Sequence, residues 1–116
     1  MIPDLDPEKL KALQAVGWAC TDWVEDEQTI ATLLTNGPEM HLSVAPGWRG
    51  RALSRRRILG ALTPVFDKFG YVATRVKHDR VEQQTFVTRV GFTKIWSDDT
   101  FVYYMLTALP YQRQKP

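Results

Sequence analysis

Residues 44–62 read VAPGWRGRALSRRRILGAL and place five arginines, Arg49, Arg51, Arg55, Arg56 and Arg57, at the front of an apolar segment. The small residues Gly47, Gly50, Ala52 and Ser54 are interleaved with them. A turn leading from a strand into a helix presents unpaired backbone N–H groups at the positive end of the helix dipole, where phosphate binds readily. Small residues let an anion approach the backbone, and arginines add charge-assisted, bidentate contacts. The combination points to a ligand that carries a pyrophosphate. A glycine turn followed by a solvated basic helix face would have the same composition. Nucleic-acid binding through Arg49 to Arg57 is a further reading, but a net charge of +2 fits a small anion better.

A second set of groups could move protons. Glu39 and His41 stand two residues apart in EMHLSV, so on a strand they share one face and either could act as a base. Tyr103 and Tyr104 are candidate acids, but neighbours on a strand point to opposite faces, so at most one is well placed. His78 reads as a loop residue. Two histidines and one cysteine at unrelated spacings do not make a zinc site, so no metal is expected. The single Cys20 forms no internal disulfide, reads as a small hydrophobe, and suits a reducing, cytoplasmic setting. Trp18, Trp23, Trp48 and Trp96 read as core or interface, with Trp48 able to pack beside a ligand.

These residues need elements to hold them. Asp6-Pro7 opens a helix with Asp6 as its N-cap, Leu10, Leu13 and Val16 as its apolar face and Gly17 as its stop. Strands are predicted over 18–24, 29–35 and 39–44, joined by the acidic turn Glu25-Asp26-Glu27 and by Asn36-Gly37-Pro38 into an antiparallel meander. A helix follows over 52–69, with Leu59, Leu62, Phe66 and Phe69 as its buried stripe and Ile58 and Val65 beside it. Pro64 frees the carbonyl of Gly60, so a kink rather than a break is expected there. Gly70 ends that helix and 71–77 form a strand. A second helix covers 78–90, with Asp79 and Glu82 spaced as a capping box, and Gly91 closes it. Residues 92–96 and 100–109 form a last hairpin around Ser97-Asp98-Asp99.

The resulting class is α+β: a mixed, mainly antiparallel twisted sheet flanked by helices, with a right-handed crossover around the arginine turn. The 116 residues, 44% hydrophobic, suit one domain over 1–110 with a flexible polar tail at 111–116. No apolar run approaches the ~20 residues of a membrane span, and the acidic N-terminal stretch does not read as a secretory signal.

VAPGWRGRALS resembles the acyl-CoA signature of the GNAT superfamily of N-acetyltransferases, with Ala52 and Ser54 standing where the signature has glycines. RVEQQTFVTRVGF resembles the later segment of that family, a helix that ends in Gly-Phe before a strand, here Gly91-Phe92. The likeness covers 39–106. It implies a GNAT-like fold, shortened at the N-terminus, with acetyl-CoA or coenzyme A as co-substrate. The pyrophosphate would lie on the backbone amides of Gly50, Arg51, Ala52, Leu53 and Ser54, with Arg49, Arg51 and Arg55 nearest the phosphates. The pantetheine arm would occupy a splay between the strand ending at Val44 and the strand 71–77, where the Val44 amide would polarise the thioester carbonyl. Acetyl transfer to an amine would then use Glu39 or His41 as base, and Tyr103 or Tyr104 as acid. The family's usual Asn and Tyr positions hold Arg80 and Val87 instead. The likeness is to short members, including those of bacteriophages. A catalytically silent assembly protein, such as a virion component or an oligomeric scaffold, is therefore the alternative, with a homo-oligomer or a phage assembly partner.

Overall fold

The computed structural model describes residues 7–48 and 53–111 of the chain. Its elements are α1 (Pro7–Ala15), β1 (Ala19–Glu25), β2 (Gln28–Asn36), β3 (Glu39–Val44), α2 (Arg55–Phe69), β4 (Val72–Lys77), α3 (Val81–Val90), β5 (Thr93–Ser97) and β6 (Phe101–Leu106). The six strands form one sheet in the order β1-β2-β3-β4-β6-β5. Every neighbouring pair is antiparallel except β3 and β4. The predicted class and element order are those observed.

Side-chain alternation along the strands decides which face is covered. Met40 of β3, Val72 and Val76 of β4, and Val102, Tyr104 and Leu106 of β6 bury against Ile58, Leu62 and Val65 of α2 and against Val90 and Phe92 at the end of α3. Both helices therefore lie on one face. That is the expected result when two crossovers of the same hand, β3-α2-β4 and β4-α3-β5, step in the same direction across a sheet. The odd-numbered residues of β3, β4 and β6, among them Glu39, His41, Arg75 and Tyr103, point to the other face. A second cluster of Ile30 and Ala31, with Trp23, Leu42, Val44 and Trp48, fills the β1–β3 end of the sheet.

Several local expectations are corrected. Val16 lies beyond α1 and is 69% exposed, while Leu10 and Leu13 are half-buried. Asp6 lies outside the described residues. Helix α2 begins at Arg55, with Ser54 as its N-cap, rather than at residue 52. It buries Ile58, Leu62 and Val65, leaving Leu59 and Phe66 half-buried at the rim and Phe69 37% exposed. Two overlapping apolar stripes exist on this helix, and the packing chose the one with the smaller side chains. At Pro64, by contrast, the expectation of no break holds, and α2 runs on through it. Helix α3 begins at Val81, and its N-cap Arg80 makes no side-chain capping bond, so the Asp79–Glu82 box does not form. Instead the Gln84 amide donates to the carbonyls of Lys77 and His78 and ties down the β4–α3 connection.

Candidate functional site

The parallel register between β3 and β4 consists of one pair, Glu39↔Ala73. Ala73 N donates to Pro38 O at 2.8 Å, and the buried Thr74 hydroxyl donates to Met40 O at 2.7 Å. Beyond these bonds the strands are not paired, so a cleft runs between them toward Val44 and Lys77.

Backbone direction follows from the neighbouring ladder. In an antiparallel pair, alternate residues turn their N–H and C=O groups toward the partner strand. Ala45 N donates to Ile30 O at 2.8 Å, and in the same register His41 faces Leu34 and Ser43 faces Thr32. Their backbone groups are thus committed to β2, whereas those of Leu42 and Val44 turn toward β4. On β4 the same alternation, set by Ala73, turns the amides of Arg75 and Lys77 toward β3. The cleft is therefore lined by main-chain donors and acceptors, which need partners when water is excluded. An extended ligand carrying amides would complete that ladder. By this alternation the Val44 amide turns toward β4.

Helix α2 follows β3 in the chain. Ser54 Oγ accepts from Arg57 N at 3.2 Å, and the first turn of α2 holds no acidic residue to offset the helix dipole. The Arg55 guanidinium lies 5.1 Å from the centre of the Tyr111 ring. Arg57 pairs with Glu25 at 3.0 Å and so fastens the β1–β2 hairpin to the helix. Leu53 packs against the main core and Trp48 against Ile30 and Ala31. Arg49, Gly50, Arg51 and Ala52 lie outside the described residues.

Titratable groups gather on the face opposite α2 and α3. His41 Nε2 lies 2.6 Å from Glu39 Oε2, and Arg75 Nε lies 3.3 Å from the same oxygen. The His41 and Glu39 side chains are 27% and 31% exposed, open enough for solvent or substrate to reach them. The Trp18 ring stands 5.5 Å from that of His41. Tyr103 shares this face and donates its hydroxyl to Asp98 Oδ2 at 2.7 Å. That hydrogen bond, with partial desolvation and the Asp98 charge, pushes the phenol above its ordinary value, and Arg75 opposes the rise. Asp98 is held low by hydrogen bonds from the Phe101 amide, the Tyr103 hydroxyl and the Thr100 amide. His78 contacts the Asp98 carbonyl.

Of the four proton-transfer candidates, Glu39 and His41 are thus in direct contact, and Tyr103 reaches them through Arg75. Tyr104 lies on the opposite face, buried beneath α3 beside a shallow groove lined by Gln84, Thr85, Thr88 and Arg89. Arg75 was missed by sequence reading. Alternation in YVATRVK places it on the polar face, but its proximity to Glu39 follows only from the β3–β4 register. Among the described residues no group of His, Cys, Asp and Glu side chains could hold a metal ion, and no helix is long and apolar enough to cross a membrane.

No family model matches the chain, and no curated protein matches it in sequence. Solved structures do match. The PseH N-acetyltransferase of Campylobacter jejuni superposes with a TM-score of 0.70 at 18% identity, covering 86% of this chain and 77% of that one. The PaiA N-acetyltransferase of Thermoplasma acidophilum, solved in complex with coenzyme A, gives 0.71 at 14% identity, covering 87% of this chain and 70% of that one. The GNAT domain of S. lividans PAT gives 0.70 at 15% identity over 90% of this chain and 70% of that one. With its six-stranded sheet, its parallel β3–β4 pair registered at one position and its three helices, the chain has the fold of the GNAT N-acetyltransferases.

Proposed function

We propose that this protein binds an acyl-CoA thioester in the β3–β4 cleft and transfers the acyl group to an amine. The observation that carries the reading is the single-pair register between the two parallel strands. By strand alternation it leaves the backbone groups of Leu42 and Val44 turned toward β4 with no ladder partner there. The pantetheine amides would pair with those groups, and the pyrophosphate would lie at the turn 49–54, against the helix dipole and Arg49, Arg51 and Arg55. Coenzyme A complexes among structures of the same fold support the ligand class.

A bound acyl-CoA supplies an activated acyl carbon. The chain's part is to orient that carbon, polarise its carbonyl and manage one proton. The Val44 N–H would donate to the carbonyl oxygen as negative charge develops on it. The acceptor nitrogen forms the new C–N bond while the C–S bond breaks. One proton leaves the nitrogen toward the Glu39–His41 pair, and one reaches the sulfur from solvent. Exposed Ile95 and Trp96 on the edge strand β5 suit a contact between copies, which is as compatible with an enzyme as with an assembly protein.

Binding is tested by calorimetric titration with acetyl-CoA. Replacing Arg49 and Arg51 together by Ala is expected to weaken it at least ten-fold, since a hydrogen bond to a charged group contributes ~1.5–3 kcal/mol. Unchanged affinity in that variant would overturn the phosphate assignment. Release of free thiol, together with mass detection of the acylated amine across a panel of small amines, tests the transfer.

A further inference from the structure

Two groups from opposite sides of the cleft converge on one carboxylate oxygen. Glu39 Oε2 meets His41 Nε2 at 2.6 Å on its own strand and Arg75 Nε at 3.3 Å from β4. The cluster sits at the closed end of the splay, where Glu39 is itself half of the one registered pair, Glu39↔Ala73. Arg75 is itself steadied, with its guanidinium carbon 4.9 Å from the centre of the Phe101 ring. On its other side stands Tyr103, whose hydroxyl proton is committed to Asp98.

This arrangement separates the roles of the two candidate bases. Arg75 Nε–H can only donate, so Glu39 Oε2 is the acceptor in this contact. The hydrogen between Glu39 and His41 therefore belongs to Nε2. In the neutral ring the lone pair is then on Nδ1. We infer that Arg75 is a positioning residue that acts through Glu39 to hold His41 as the Nε2–H tautomer. This leaves His41 Nδ1 as the base that takes the proton of the acceptor amine.

The inference rests on the acyl-transfer reading for its function, though not for its geometry. During the step the amine nitrogen gives one proton to Nδ1 as it bonds to the acyl carbon. The imidazolium that results is bonded through Nε2–H to Glu39 and is stabilised by that carboxylate. It then releases the proton to solvent, which protonates the departing sulfur, so one proton passes from nitrogen to sulfur and the ring returns to its starting form. Trp18, 5.5 Å from the ring, limits how far His41 can turn.

The test is ring-nitrogen NMR of the ligand-free protein at alkaline pH, above the ordinary histidine range of ~6.5. The wild type is expected to show a protonated Nε2 and a bare Nδ1 for His41. Arg75→Gln and Glu39→Gln are expected to give a mixture of tautomers, and Arg75→Lys to restore the single form in large part. A wild-type His41 protonated on Nδ1, or the same spectrum in all variants, would overturn the proposal. In turnover, Arg75→Gln is expected to lower kcat about ten- to a hundred-fold with little change in the KM for acetyl-CoA. Adding Arg75→Gln to Glu39→Gln is expected to cost no further activity, and full additivity would contradict action through Glu39. If the wild type transfers no acyl group while the tautomer result holds, the acyl-transfer reading fails and the tautomer assignment stands.

Discussion

Asp98 shows how one half-buried carboxylate organises the end of the sheet. It accepts from Phe101 N at 2.7 Å, Thr100 N at 2.8 Å and the Tyr103 hydroxyl at 2.7 Å, and these bonds hold its pKa below the ordinary value. A carboxylate with a depressed folded-state pKa contributes stability above its unfolded value, ~3.9, and loses it as pH falls through the folded value. Asp98→Asn keeps the acceptor oxygen and removes the titration. The wild type is therefore expected to be more stable than this variant at neutral pH, with the difference vanishing at the acid end of a series of denaturant melts. His41→Gln tests the base more directly: kcat is expected to fall about a hundred-fold or more while affinity for coenzyme A is kept. At this scale the sequence revealed Glu39 and His41, because a period of two settles which residues share a face. Arg75 was not legible, because nothing local says which strand lies beside β4. Nor was the commitment of Tyr103 to Asp98, a bond set by the turn that closes the hairpin.

Elements were legible where turn chemistry is strong and misread where two patterns compete. Gly70 and Gly91 stop their helices as expected. Gly91 has φ +124°, and a Cβ there would meet Leu106 Cδ1 at 3.4 Å. Gly91→Ala is expected to destabilise the fold by ~1–3 kcal/mol, through backbone strain and pressure on a buried leucine, read as a lowered midpoint in urea. The β1–β2 loop is a two-residue turn with positive φ at both central residues, Asp26 at 52° and Glu27 at 64°. Glycine and asparagine adopt that conformation far more readily. Replacing the pair by Asn-Gly is expected to raise stability by ~0.5–1 kcal/mol, after the entropy cost of glycine, and the melting temperature by a few degrees. The misreadings have a common cause. On α2 the stripes through Leu59 and through Ile58 were equally apolar, and only the sheet could choose between them. At α3 the Asp79–Glu82 spacing imitated a cap that the chain, turned by Gln84, does not use.

For the whole molecule, the order of elements followed from periodicity and turns alone, and the mixed sheet followed from that order. The splay did not, because neither β3 nor β4 carries a local signal that they part after one pair. It was expected only from the resemblance of the arginine segment to an acyl-CoA signature. The two strands meet through residues such as Met40 and Thr74, 34 apart in sequence, and such long-range pairing is what a single sequence hides. The central claim is that this cleft, continued by the start of α2, holds an acyl-CoA. Titration of the ¹⁵N-labelled protein with acetyl-CoA, followed amide by amide, tests it most directly. Saturable shifts are predicted at Leu42, Val44, Ser54 and Arg75, with the β5 amides unmoved. Absence of shifts at millimolar ligand, or shifts confined to residues away from the cleft, would contradict the account.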